Sequence, residues 1–153
     1  GFGISASYEG YDFSIFMQGV ARTSFFINPN DISPFVNERN ALNVIADNHW
    51  SINNPDPNAF WPRLSTYSIA NNEQQSTWWQ RDGDFLRLKN IEIGYTFPDR
   101  ESGLFSGLNT RIYFTGLNLL TFSKFDLWDT EMGGNGLGYP PQKVYNIGLQ
   151  VNF

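Results

Sequence analysis

The chain has 153 residues, a net charge of −5 and no cysteine, and its aromatic share (17%) exceeds its charged share (16%). The acidic balance excludes the basic stripe that nucleic acid needs, and the lack of cysteine excludes a disulfide framework, a thiolate metal site and a thiol nucleophile. Five Trp, seven Tyr and 14 Phe in an Asn- and Ser-rich background suit a surface that meets two media, because Tyr and Trp join an apolar body to a wet tip. No apolar run approaches the roughly 18 residues of a membrane helix. Hydropathy is, however, nearly blind to membrane barrels, whose strands alternate.

The opening GFGISASYEG already alternates, so the chain is expected to begin inside a strand, and no leader pattern precedes it. Phe2, Ile4, Ala6 and Tyr8 face one way; Gly3, Ser5 and Ser7 face the other. A second alternating segment follows EGYD. A two-residue turn at Gly10-Tyr11 would be type II′, which takes Gly first. That register sets Tyr8 opposite Phe13, Ala6 opposite Ile15 and Ile4 opposite Met17. Ser7 then meets Ser14, Gly3 meets Gln18, and Glu9 meets Asp12 at a small like-charge penalty.

Residues 22–83 form a connection rich in Asn, Pro and Trp, far beyond the roughly 15 residues that compact domains hold without a functional reason. Within it FVNERNALNVIADNHW is expected to hold a short helix, with Asn37 as N-cap and Leu42, Ile45 and Ala46 on one face. In the third strand, DFLRLKNIEIGYTFP, Ile91, Ile93, Tyr95 and Phe97 share a face opposite Asn90, Glu92, Gly94 and Thr96. Before Lys89 the phase reverses and puts Leu86 and Leu88 on the polar side. A bulge and emergence from a membrane are the two explanations. Pro98 ends the strand, and residues 99–107, DRESGLFSG, read as a polar turn. The fourth segment, TRIYFTGLNLL, sets Ile112 and Phe114 against Arg111, Tyr113 and Thr115. A second long, Gly-rich connection covers residues 120–141. The fifth segment, KVYNIGLQVNF, alternates to its last residue: Tyr145, Ile147, Leu149, Val151 and Phe153 are apolar, with Asn146, Gly148, Gln150 and Asn152 between them.

Little here suggests covalent chemistry, and no catalytic, cofactor or metal site is expected. His49 has no partner pattern for a triad and reads as loop structure. GGNGLG misses the G-x-G-x-x-G spacing by one position and lacks a following helix. Asp126, Asp129 and Glu131 make a Ca²⁺ site conceivable, but their spacing is not that of an EF-hand; a solvated acidic loop is the plainer reading. Trp50, Trp61, Trp78, Trp79 and Trp128 all fall in the two long connections. Contact with a ligand or partner (sugar stacking included), a belt at a membrane boundary and packing of the loops are the roles open to them.

Alternating strands bury their apolar faces in a sandwich or against lipid. A strand that closes on its own C-terminal Phe resembles the assembly signal of bacterial outer-membrane β-barrel proteins. By that resemblance Tyr145, Ile147, Leu149, Val151 and Phe153 form the signal read by the barrel assembly machinery and face the lipid bilayer. The last strand then runs toward the periplasm, so residues 22–83 and 120–141 become extracellular loops and the tight turns periplasmic, as in such barrels. Asp82 to Pro98, Arg111 to Glu131, Gly138 to Phe153 and the loop stretch WSINNPDPNAFWPRL are similar to the C-terminal end of SusC/RagA-type TonB-dependent transporters. The family often has Gln, Pro and Tyr where Leu117, Thr130 and Trp61 stand.

The resemblance implies an all-β fold: a curved, antiparallel five-stranded sheet, the C-terminal part of a barrel of about 22 strands with an N-terminal plug. Residues 1–153 would be a single partial domain without the plug or the TonB-contacting N-terminal region. Asn90, Glu92, Gln150 and Asn152 would face the pore. The implied function is nutrient import across the outer membrane of a Gram-negative bacterium, with energy from TonB and a SusD-like surface lipoprotein as lid. The substrate would be a glycan or peptide fragment too large for porins. The alternative is a secreted carbohydrate-binding β-sandwich module; a β-rich hydrolase domain is the third and weakest reading.

Overall fold

A computed structural model describes residues 1–36, 38–98 and 107–152 of the chain. Asn37, residues 99–106 of the expected polar turn, and Phe153 lie outside the described residues. The elements in chain order are β1 (Phe2–Tyr8), β2 (Tyr11–Val20), β3 (Ser24–Phe26), α1 (Pro29–Ile32), α2 (Asn43–Asp47), α3 (Ala70–Glu73), β4 (Gln80–Asp82), β5 (Phe85–Thr96), β6 (Asn109–Ser123), a 3₁₀ turn (Thr130–Met132) and β7 (Val144–Asn152). They divide into two compact units. One holds β1, β2, β5, β6 and β7; the other comprises Ser24–Asp82 and Phe125–Tyr139.

The five alternating segments form one antiparallel sheet in the order β1-β2-β5-β6-β7. The first hairpin departs from the expected register by two residues. Tyr8 pairs with Tyr11, Ala6 with Phe13, Ile4 with Ile15 and Phe2 with Met17. The turn is centred on Glu9 and Gly10, at φ 48° and 86°, not on Gly10-Tyr11. Positive φ at both central residues is the type I′ signature, whose twist matches that of the flanking strands. A Cβ on Gly10 would also stand 2.6 Å from the Thr96 carbonyl oxygen, so the close approach of β5 adds to the demand for glycine. The two-residue shift leaves both faces intact, because side chains alternate with period two. It also sets Asp12 opposite Ser7 and away from Glu9.

The phase reversal in β5 is a bulge. Phe16 pairs with Asn90 and the next residue, Met17, with Leu88, leaving Lys89 as the extra residue. On the other side of β5, Leu88 pairs with Leu120 and Asn90 with Leu117, so Asn118 and Leu119 lie opposite Lys89. Asn118 takes a left-handed φ of 53° there, a conformation Asn tolerates better than most residues. The bulge returns Leu86 and Leu88 to the face of Ile91 and Ile93, since their β2 partners Gly19, Met17, Ile15 and Phe13 share one side. β6 runs on to Ser123, beyond the alternating stretch visible in the sequence.

The second unit is mostly irregular chain around an aromatic core. β3 and β4 form a short antiparallel ladder. Asn28 caps α1 by accepting a hydrogen bond from the Asn30 amide at 3.3 Å, with Pro29 in the first helical position, where its missing N–H is no loss. The expected helix forms only as α2, with Leu42 at the cap position and no side-chain cap bond. Ile45 is fully buried and Leu42 packs on the core, while Ala46 is exposed. The core comprises Ile27, Ile32, Ile45, Phe60, Trp61, Trp79 and Phe125.

Candidate functional site

Cross-strand partners in a sheet share a face, so register alone assembles two functional surfaces. On one, Tyr145, Ile147 and Leu149 of β7 continue through Gly116, Phe114 and Ile112 of β6 to Ile91, Ile93 and Tyr95 of β5. The row ends on Ile15, Phe13 and Tyr11 of β2 and Ile4, Ala6 and Tyr8 of β1. This face is apolar yet bare: Ile147 is 81% exposed, Leu149 65% and Tyr145 63%. Val151 lies on it too, opposite Thr110.

The other face carries Asn90, Glu92, Gln150 and Asn152, as the alternation predicts. It is not wholly polar, since Phe16 and Leu117 flank Asn90. Its centre is an ion cluster that sequence reading missed. Arg111 donates from Nε to Asp12 Oδ1 at 3.0 Å and from Nη2 to Asp12 Oδ2 and to Glu92 Oε1, the last at 2.6 Å. Its guanidinium also lies 4.9 Å from the Tyr113 ring centre. The row Asp12–Gly94–Tyr113–Gly148 explains how these groups fit. A Cβ on Gly94 would collide with the guanidinium and with Asp12, and one on Gly148 with the Tyr113 ring. Gly94 and Gly148 on the polar face were the available sequence signal.

In the second unit the tryptophans pack. Trp61 and Trp79 are 3% and 1% exposed, with rings 5.1 Å apart. The indole N–H groups are satisfied by backbone carbonyls: Trp78 on Phe60, Trp79 on Asn72 and Trp128 on Gly133. Trp50, Trp78 and Trp128 stay partly exposed. Arg81 lies over the Phe60 ring at 5.8 Å and donates to the Trp78 carbonyl at 2.7 Å; burial pulls its pKa down from the ordinary arginine value, and the group remains charged at any physiological pH. His49 Nδ1 lies 2.9 Å from the Ala46 carbonyl at the end of α2. Asp129 accepts from the Glu131 amide and caps the 3₁₀ turn. The glycine-rich stretch is loop packing: the Gly134 carbonyl accepts from the Asn28 amide, and Gly136 lies against the Trp128 ring.

No protein-family profile matches the chain. Among curated proteins it is 29% identical, over its whole length, to TonB-dependent receptor P26 of Formosa agariphila and 26% identical to TonB-dependent receptor P3 of the same organism. It spans 16% of the length of each. Among solved structures, the RagAB peptide transporter matches 99% of the chain with a TM-score of 0.70 at 24% identity. The RagAB peptide importer in its open-open state matches 99% with a TM-score of 0.68 at 22% identity. The chain covers 17% and 16% of those structures. The resemblance to SusC/RagA-type TonB-dependent transporters is thus borne out, in sequence along the whole chain and in fold over 99% of it, and with it the all-β, five-stranded antiparallel assignment.

Proposed function

We propose that residues 1–153 are the C-terminal barrel segment of an outer-membrane importer of glycan or peptide fragments, energised through TonB. The observation that carries this reading is the sheet's two-sidedness. One face is a bare apolar row from Tyr8 to Leu149, and the other holds the Asp12–Arg111–Glu92 cluster. A soluble sandwich would cover such a row; a barrel wall leaves it to lipid and turns its polar side to the lumen. The receptors of similar sequence support coupling to TonB by their name, and the peptide importers of similar fold support import. The chain performs no covalent chemistry in this reading.

Several assignments follow from it. Residues 22–83 and 120–141 are extracellular loops. Tyr145, Ile147, Leu149, Val151 and Phe153 form the strand recognised by the barrel assembly machinery. Asn90, Glu92, Gln150 and Asn152 line the lumen. A SusD-like lipoprotein covers the outer side, and a plug and TonB-contacting region belong to the rest of the protein. Substrate or partner meets Trp50, Trp78 and Trp128 rather than the buried pair Trp61 and Trp79. The test is uptake of fluorescent oligopeptides and oligosaccharides by cells that carry the full-length protein, with and without TonB. Uptake of one pool is expected to need both proteins; uptake that is indifferent to either overturns the reading.

A further inference from the structure

We propose that the loop unit carries a subsite for the free carboxyl end of an apolar peptide, in the groove between Phe35 and the segment Arg63–Ile69. The groove has a volume of about 430 Å³, within the range of small-molecule sites. Phe35, Leu64, Tyr67 and Ile69 give it apolar and aromatic walls, and Arg63 is its one charged lining group. Three independent features point to a ligand.

The first is the charge. Arg63 is exposed, and no hydrogen bond or ion pair to it occurs among the described residues. The other arginines of the loop unit differ. Arg39 is bound to the Asn30 and Asp31 carbonyls, and Arg81 to the Trp78 and Gln80 carbonyls. An unengaged guanidinium beside apolar walls selects a planar anion such as a carboxylate, which it can grip with two parallel bonds.

The second is the backbone. Leu64, Ser65 and Thr66 belong to no helix or strand, and their main-chain N–H and C=O groups make no hydrogen bond among the described residues. Such a segment can pair with an incoming extended chain, as in strand-addition recognition. That favours a peptide over other carboxylates. The third is strain. Phe35 sits at φ 63° and is 45% exposed. A left-handed backbone is costly for an aromatic residue and concentrates at ligand clamps. The bond from the Phe35 amide to the Arg39 carbonyl at 3.1 Å holds it there.

The subsite deepens the import reading and rests on it only for the groove's exposure to the outside. The experiment uses the purified full-length protein in detergent and isothermal titration calorimetry. The probes are an N-acetylated tetrapeptide ending in Leu-Phe, as free acid and as amide, with octanoate and glucuronate as other carboxylates. The free acid is expected to bind about tenfold or more tightly than the amide, the size of one charge-assisted bond. Arg63→Gln should bind acid and amide alike, and Tyr67→Ser should weaken both. Equal binding of acid and amide to the unaltered protein overturns the subsite, as does a preference for the acid that survives Arg63→Gln. Octanoate or glucuronate binding as tightly as the peptide acid overturns the peptide assignment. Because Arg63 is exposed, its variant should keep the parent's thermal midpoint. A protein that inserts in the outer membrane and imports cargo but ignores the carboxylate defeats the subsite alone, whereas one that never reaches that membrane defeats the import reading.

Discussion

Ile147 in β7 is 81% exposed, while Ile45 in α2 is not exposed at all. The same side chain meets opposite conditions in the two units because their backbones solve different problems. In the sheet, ladder bonds pair the interior strands along most of their length, so an apolar face needs only an apolar medium. In the loop unit most of the chain is irregular, so order comes from rings packed around Trp79 and from indole N–H groups bonded to carbonyls. Burying an isoleucine is worth about 1.5–3 kcal/mol in water. The sheet leaves that gain to its surroundings, and the loops collect it within the chain.

The sharpest way to break this contrast is Trp79→Ala in the full-length protein. It should cost the loop unit about 3–5 kcal/mol, as removal of a buried large ring does, and appear as rapid protease cleavage of the loops while the barrel stays heat-resistant on detergent gels. An equal loss from Ile147→Ala would erase the distinction. Next, Leu149→Arg should destabilise insertion into bilayers by about 2–4 kcal/mol, and Gln150→Arg by much less. Comparable losses at these neighbours would refute the facing of β7. Deleting Phe153 belongs with this pair: the amount of folded protein in the outer membrane should fall, and normal abundance with reduced uptake would contradict the assembly role.

Two smaller effects sharpen the picture. Gly148→Ala puts a methyl group into the Tyr113 ring and should cost about 1–3 kcal/mol by overpacking, read as a lower unfolding midpoint in urea. The loss is steric, so it should not depend on the bilayer, unlike that of Leu149→Arg. Asn28→Ala removes the α1 cap and should cost about 1 kcal/mol, visible only as faster local proteolysis near residues 28–32.

The sheet was legible because period two is written into each strand, and the bulge was legible as a broken phase before Lys89. The hairpin register was not, since a slip of two residues changes no face and only the turn's φ values decide it. The loop core hid for a different reason. Ile27, Phe60, Trp79 and Phe125 follow no period, and irregular chain imposes none. The ion cluster joins Asp12 to a residue 99 positions away, which only the completed register of β2, β5 and β6 brings together. Arg63–Ile69 carries no motif at all; its interest lies in what the fold leaves unbonded.

The bulge at Lys89 restricts how this segment can be recombined with its relatives. β5 holds one residue more than β2 matches, and β6 answers that residue with two, Asn118 and Leu119. A chimera that takes β5 alone from a protein with an unbulged strand would leave Asn118 and Leu119 facing no partner residue. The donor must supply β5 and β6 together, or the crossover must fall on the stretch where Ile91 to Thr96 run against Arg111 to Gly116 in plain register. Grafts of the long connections therefore have a natural seam, and it lies on the Ile91–Thr96 side of the bulge rather than at the ends of those connections.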